Sequence, residues 1–117
     1  MQNHTLPQLI TVSTQAIPRL EHFKQRTTFQ IAECYRLIGL TKRAEPYYKR
    51  VLKTDYVNSH PEVYLYAADT YKINGKYKEA IENYELYAQK VPDDPRGQLG
   101  AESTALIQEW IDNNTSS

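Results

Sequence analysis

Residues 64–92 read YLYAADTYKINGKYKEAIENYELYAQKVP, and the spacing within this stretch decides the fold. Small and aromatic residues recur along it at intervals of three and four, the spacing of one face of an α-helix. Gly75 interrupts the pattern where one helix would end in a left-handed residue before the next begins. The stretch therefore predicts two helices joined by a tight turn. The pattern is carried by Tyr64, Ala68, Tyr71, Gly75, Ala80, Tyr84 and Pro92.

The same pattern occurs once more, 36 residues earlier in the chain. Repeats at a fixed offset indicate a stacked architecture, in which neighbouring units bury a continuous core together. The superposed pairs are Ala32 and Ala68, Tyr35 and Tyr71, Gly39 and Gly75, Ala44 and Ala80, and Tyr48 and Tyr84.

This unit resembles the tetratricopeptide repeat (TPR), in which a large residue, a small residue and an aromatic precede a glycine turn, and alanine, aromatic and proline follow it. Repeat two has all of these positions, whereas repeat one departs from them at Thr28, Thr41 and Tyr56. The offset of 36 rather than about 34 implies two extra residues within 57–60. The resemblance covers about residues 25–94. It implies an all-α helical-hairpin solenoid of about two full repeats plus flanking and capping helices.

The predicted boundaries follow from the repeat and from the prolines. We expect a weakly structured segment at 1–15, a TPR domain at 16–112 and a tail at 113–117. Within the domain we expect repeat 1 at about 25–58, repeat 2 at about 61–94 and a capping helix at about 95–112. Residues 16–23 resemble the second helix of an earlier, incomplete unit, with Pro18 in its first turn. Pro46 predicts a late start or a kink in the second helix of repeat one.

Composition excludes several classes of function. The chain has 14 basic and 14 acidic side chains, and this balance disfavours nucleic acid as the main partner. No run approaches the ~18 apolar residues of a membrane helix, so no direct membrane insertion is expected. The interrupted run at 6–12 is not expected to be a signal peptide. Cys34, the single cysteine, excludes an internal disulfide, and we expect it to be buried and inert.

The two halves of the chain differ in charge. Residues 1–59 hold nine basic and four acidic side chains, and residues 60–117 hold five and ten. Formal charges of +5 and −5 could steer a partner or stack molecules head to tail. The alternative is a chance distribution over solvated helix faces.

No catalytic, cofactor or metal site is predicted. The histidines have no metal-ligand spacing along a helix; they are His4, His22 and His60. Glu33 and Asp69 hold equivalent repeat positions, but neither has a candidate base, nucleophile or enclosing pocket beside it. We therefore do not expect an enzyme.

The TPR resemblance implies a binding surface. In that family the first helices of the repeats line a concave groove that binds extended peptides or helices. Carried across by register, the groove residues are Arg26, Phe29, Glu33, Arg36 and Leu37 from repeat one and Glu62, Leu65, Asp69, Lys72 and Ile73 from repeat two. For Phe29 and Leu65, support of the neighbouring helix is the alternative role.

The groove composition bears on which partner is expected. TPR co-chaperones hold a terminal carboxylate with lysine and asparagine at fixed groove positions, and this chain has Phe29, Glu33, Leu65 and Asp69 there. Two acidic residues would repel a carboxylate, so binding of a chaperone tail is not expected. Tyr47 and Tyr66 lie outside the repeat pattern and are candidate anchors, with core filling as the alternative.

A narrower resemblance comes from four runs taken in order: 31–39 (IAECYRLIG), 42–48 (KRAEPYY), 75–81 (GKYKEAI) and 92–97 (PDDPRG). Together they look like the N-terminal TPR region of OmpA-family proteins of gram-negative bacteria, one of which is the peptidoglycan-associated component of the type IX secretion system. In that group a β-propeller, a small middle domain and a peptidoglycan-binding domain follow the TPR.

This resemblance spans about residues 26–103, and it implies that the chain is a fragment from the periplasmic side of the outer membrane. The partner it implies is another envelope or secretion component. Two alternatives remain: a free-standing adaptor in the cytoplasm, and a TPR domain that assembles with itself as a homodimer.

Overall fold

The computed structural model describes the backbone of residues 2–115 and the side chains of residues 17–115. This part of the chain is helical and has no strand. Its helices are α1 (Gln2–Leu37), α2 (Thr41–Leu52), α3 (Tyr56–Ser59), α4 (Glu62–Ile73), α5 (Tyr77–Lys90) and α6 (Pro95–Thr115). Helices α1 and α2 form one hairpin and α4 and α5 the next, while α2 packs against α4 and α5 against α6. The predicted all-α solenoid of helical hairpins is confirmed.

Each hairpin turns at a glycine with a left-handed backbone. In the second hairpin Gly75 has φ +80°, and its N–H donates to the carbonyl of Lys72 at 3.1 Å. The next N–H, of Lys76, donates to the carbonyl of Tyr71 at 2.8 Å. This pair of bonds is the Schellman motif, which satisfies carbonyls left free at a helix end. Gly39 has φ +85° and the same two bonds around it.

Alanine and tyrosine build the core at the repeat positions. The alanines of both hairpins are fully buried, and small side chains allow paired helices to approach closely. The tyrosines fill the remaining space, and each keeps a hydroxyl for a hydrogen bond. The buried repeat residues are Ala32, Ala44, Tyr48, Ala68, Tyr71, Ala80 and Tyr84.

Glu45 ties the first repeat to the turn of the second. Its carboxylate accepts from Asn74 Nδ2 at 2.9 Å and from Lys76 Nζ at 2.5 Å, and Lys49 Nζ lies 3.2 Å away. Asn74 Nδ2 also donates to the carbonyl of Thr41 at 3.1 Å. Burial acts to raise the pKa of Glu45, but the hydrogen bonds from Lys76, Asn74 and Lys49 lower it below its ordinary value.

The N-terminal helix differs from the prediction. Helix α1 runs without a break from Gln2 to Leu37, through the segment 1–15 that was predicted to be weakly structured and past Pro18. No glycine lies in this range to end the helix. Residues 17–24 are all exposed, although the ring of His22 lies 5.3 Å from that of Tyr56 on α3. Met1 and the side chains of 2–16 lie outside the described part.

Helix α6 packs through small residues rather than through its large apolar ones. Gly97 and Thr104 are buried, and a Cβ built on Gly100 would lie 2.5 Å from the ring of Tyr84. Leu106 and Trp110, two large apolar residues of the predicted capping helix, are each 66% exposed. The helix also continues through 113–115, beyond the predicted cap, while Ser116 and Ser117 lie outside the described residues.

One further expectation was wrong. Cys34 is exposed, because it lies about 200° around the helix from buried Ala32, on a side where nothing packs. Helix α2 begins at Thr41, so of the two effects predicted for Pro46, a late start or a kink, the late start does not occur. Among the described residues, no helix combines the length and apolar character needed to span a membrane.

Replacing Gly75 with alanine tests the left-handed turn. Nothing lies within 4 Å of a Cβ at this position, so the substitution meets no neighbour and its effect comes from the backbone alone. We expect the free energy of unfolding in urea to fall by about 1–2 kcal/mol. The exposed Lys78→Ala control should change it by less than about 0.5 kcal/mol. A Gly75→Ala protein as stable as the control would contradict the motif.

Glu45 should make the free energy of unfolding depend on pH in the acid range. A carboxyl whose pKa is lowered by folding stabilises the native state above its ordinary pKa of 4.5, and this contribution is lost as the pH falls below that value. We expect Glu45→Gln to lower the free energy of unfolding by about 1 kcal/mol at pH 7, with a smaller difference at pH 3. Glu85→Gln, an exposed change on α5, is the control. A deficit of equal size at both pH values would rule out the ionic contribution.

Candidate functional site

The first helices of successive units adjoin on one surface, called the groove here and lined by Glu33, Arg36, Asp69, Lys72 and Ile73. Side chains cross from each helix to the next. The guanidinium carbon of Arg36 on α1 lies 4.3 Å from the ring centroid of Tyr66 on α4, and Lys72 Nζ on α4 lies 3.2 Å from Ser103 Oγ on α6. The groove therefore extends over α1, α4 and α6.

Helix α6 occupies the place of a first helix in a third unit. Thr70 on α4 and Thr104 on α6 are both fully buried. Each donates its hydroxyl to the carbonyl four residues earlier, at 2.9 and 2.7 Å. The two threonines are 34 residues apart, the ordinary TPR period.

In repeat one, an acid, an arginine and a tyrosine form a closed network. Arg36 binds Glu33 through two bonds, with Nη2 at 2.7 Å and Nε at 3.1 Å from the carboxylate oxygens. Tyr48, which reaches the groove from α2, donates its hydroxyl to Glu33 and accepts from Arg36 Nε at 3.1 Å. The carboxylate of Glu33 is therefore neutralised within the protein.

Repeat two keeps the acid and the tyrosine without the ion pair. Tyr84 donates its hydroxyl to Asp69, with the same sequence separation of 15 as between Glu33 and Tyr48. Lys72 stands where repeat one has Arg36, but it donates to Ser103 instead. No described cation forms a salt bridge with Asp69. The second repeat thus presents one negative and one positive group to a partner.

Burial and these bonds shift the titration of both tyrosines. Burial first, and then the hydrogen bond to a carboxylate, raises the pKa of Tyr48 and of Tyr84 well above the ordinary 10. The hydrogen bond to Glu33 likewise raises the pKa of Arg36. Both tyrosines therefore stay protonated as donors, and Arg36 stays charged.

Apolar side chains lie beside these charges. Leu37 and Ile73 occupy equivalent positions in the two repeats and are 71% and 68% exposed. Ile73 also lines an open depression of about 380 Å³ together with Arg36, Asp69, Lys72 and Tyr84. Exposed apolar groups next to charged ones are typical of a protein-binding surface.

Two predicted groove residues belong to the interior instead. Leu65 is only 2% exposed and is part of the core. Phe29 is half-buried, with its ring centroid 6.3 Å from that of Tyr48 and 6.1 Å from that of Tyr56. Residues from α2 and α3 pack against Phe29. For both residues, the alternative role as support for neighbouring helices describes what the structure has.

Of the other predicted groove residues, some line the centre of the groove and two lie toward one end of it. Arg36, Asp69, Lys72 and Ile73 line the same depression, and Glu33 is bound to Arg36. Arg26 and Glu62 lie a turn or more away, toward the start of their helices. Glu62 interacts there with His60, at 3.2 Å from Nδ1.

Sequence reasoning did not identify the tyrosines that complete the groove. Tyr48 and Tyr84 come from second helices, where the repeat pattern treats them as packing residues. Each tyrosine follows its acid by 15 residues, and this shared separation could have indicated the two acid–tyrosine pairs from the sequence. The anchor candidate Tyr66 lies under Arg36, and Tyr47 packs on Tyr35 at 5.7 Å between ring centroids.

A histidine pair lies where α1 meets α3. The rings of His22 and His60 are 6.0 Å apart, and Tyr56 stacks on His60 at 4.2 Å. These histidines are distant in sequence, and only the crossing of α1 over α3 brings them together. The described side chains contain no group of three or more histidine, cysteine, aspartate or glutamate residues that could hold a metal ion.

Comparison with protein families matches residues 26–58 and 61–88 to the tetratricopeptide repeat. The two matched segments correspond to α1–α3 and α4–α5, the two hairpins described above. No curated protein and no solved structure gives a significant match to the chain.

Removing the groove hydroxyls tests the acid–tyrosine bonds. A hydrogen bond to a charged group contributes about 1.5–3 kcal/mol, so Tyr48→Phe and Tyr84→Phe should each lower the free energy of unfolding by about 1–3 kcal/mol. Tyr47→Phe is the control, because its ring packs but no described bond uses its hydroxyl. Equal effects of all three changes in urea titrations would contradict the proposed contribution of the bonds.

Proposed function

Because the chain belongs to the tetratricopeptide-repeat family, we propose that its groove is a docking site for a protein or peptide partner and that its home is a larger cell-envelope protein. Tetratricopeptide repeats are general protein–protein interaction modules with a non-catalytic fold. The observation that carries the docking site is exposed Ile73 in a depression shared with Asp69 and Lys72, with its counterpart Leu37 also exposed in repeat one.

The charges indicate the chemistry of the partner. Arg36 already neutralises Glu33, so the groove offers one acid, Asp69, and one base, Lys72, three residues apart. A partner segment with apolar anchors and a basic and an acidic group at matching positions would satisfy both. A terminal carboxylate would face Asp69, and this supports the expectation that chaperone tails do not bind.

The envelope assignment rests on the four runs that resemble the TPR region of OmpA-family proteins. On this proposal the chain acts on the periplasmic side of the outer membrane, and its partner is another envelope component of a type IX-like secretion machinery. A cytoplasmic adaptor is the alternative, and the groove would serve it equally well.

Self-association is a second candidate, since apolar faces lie exposed at both ends of the solenoid and the two halves carry opposite charge. It would use those ends rather than the groove.

Partner binding in the groove can be tested with a variant that changes only exposed residues and leaves the core intact. Leu37→Asn with Ile73→Asn changes two exposed residues, whereas Phe29 and Leu65 are unsuitable because they pack inside. We expect the native domain to retain proteins from a gram-negative envelope extract, and the double variant to lose at least about tenfold in affinity for them. Leu86→Asn, an exposed apolar change on α5, is the matched control and should bind like the native domain.

Three outcomes would count against parts of this proposal. Equal retention by the native and double-variant domains would move the site out of the groove. Retention from a cytosolic extract but not from an envelope extract would favour the cytoplasmic adaptor. Loss of binding by the Leu86→Asn control as well would indicate a general effect on folding, which circular dichroism of each variant checks directly.

A further inference from the structure

One face of α1 is uncovered where its counterpart in α4 is buried. Val63, Ala67 and Thr70 on α4 are at most 1% exposed, and α2 is the helix that packs against α4 on this side. The residues 36 positions earlier are Thr27, Ile31 and Cys34, and all three are exposed. Repeat geometry therefore leaves α1 with a surface shaped to receive another helix.

This surface extends along most of the described helix. Alternating steps of three and four connect its members, which is the heptad spacing of a helix-packing seam. Its large apolar residues are well exposed, with Ile17 at 58%, Leu20 at 64% and Ile38 at 69%. The outer face of α1 consists of Ile17, Leu20, Lys24, Thr27, Ile31 and Cys34, over a length of about 26 Å at 1.5 Å per residue, together with Ile38 directly after the helix.

A second uncovered face lies at the other end of the solenoid. Helix α6 contacts α5 through Gly97, Gly100 and Thr104, and its opposite side carries Leu99, Leu106 and Trp110 at 59–66% exposure. These last three residues recur at i, i+7 and i+11, so they form one stripe. We call them, with Glu102 and Glu109, the outer face of α6.

The charges of the two outer faces are opposite. Lys24 lies within the face of α1 and is exposed, and the exposed residues Arg19 and Glu21, of opposite charge, lie at its two edges. Glu102 and Glu109 lie on the face of α6 and are also exposed. Two α1 faces brought together would place like charges opposite each other, whereas α1 against α6 joins basic to acidic around an apolar centre.

We propose that copies of this chain stack head to tail, with the outer face of α6 in one copy covering the outer face of α1 in the next. Such a contact is heterologous, because each copy keeps one unused face, so the stack grows into open chains unless its rotation closes a ring. It differs from a closed homodimer. The groove consists of other residues. A failure of stacking would therefore not contradict partner docking, and a failure of docking would not contradict stacking.

Disulfide trapping tests the contact directly, since Cys34 already lies in the outer face of α1. Under mild oxidation, the Leu106→Cys protein should form a ladder of disulfide-linked dimers, trimers and larger species through Cys34 and the new thiol. Gln89→Cys is the matched control, with its thiol at an exposed position of α5, and it should form no ladder. Adding Cys34→Ser to the Leu106→Cys protein should abolish the ladder.

The native protein and its controls give the contradicting results. Linked dimers of native chains through Cys34 would indicate a symmetric contact between two α1 faces and overturn the head-to-tail order. An equal ladder from the Gln89→Cys control would mean random collision. A constant monomer mass in light scattering over a hundredfold range of concentration would overturn stacking altogether, whatever the oxidation result.

Charge exchange gives an independent readout that does not depend on thiol geometry. Lys24→Glu makes the α1 face acidic, and Glu102→Lys with Glu109→Lys makes the α6 face basic. Each variant alone should stay monomeric, because its two faces then carry the same sign. An equimolar mixture should recover the larger mass, and 1 M salt should weaken it, since that salt screens charges beyond about 3 Å. A mixture that stays monomeric would exclude the charge-matched contact.

Discussion

Close packing between the two helices of each hairpin is the constraint on which the rest of this structure depends. Alanine at the buried repeat positions leaves room for the helices to approach, and left-handed glycine turns fix where each pair reverses. Because the helices are close, a tyrosine from the second helix can reach past the first to the groove surface. A larger residue at Ala32 or Ala68 would push the helices apart and move that hydroxyl away from its acid.

The acid–tyrosine bonds connect this packing to the binding surface. Tyr48 and Tyr84 are buried, and a buried hydroxyl requires a partner. Glu33 and Asp69 supply that partner from the groove side. The same bonds hold the acids in place, so the surface offered to a protein partner is fixed by the core beneath it. Arg36 then distinguishes the repeats, because it neutralises the acid in the first and the second has no equivalent ion pair.

A short solenoid has much of its repeat-forming surface at its ends. Helix α2 packs between α1 and α4, α4 between α2 and α5, and α5 between α4 and α6. Helices α1 and α6 each have one side packed and one side open, and the open sides carry large apolar residues rather than the polar ones of a terminal cap. Partner docking in the groove and stacking through the ends would therefore use separate surfaces of the same small fold.

The sequence by itself determined the local structure. The spacing of alanine and tyrosine specified amphipathic helices, and Gly39 and Gly75 specified the two turns, because these features depend on residues close together in the chain. It also indicated which sides of α1 and α4 form the groove. Only the tertiary structure decided what covers each face. Leu65 is buried and Cys34 exposed because neighbouring helices pack over one and not the other, and helical periodicity contains no information about neighbours. The network of Glu33, Arg36 and Tyr48 was likewise decided by packing, since it joins helices whose relative placement depends on the whole core.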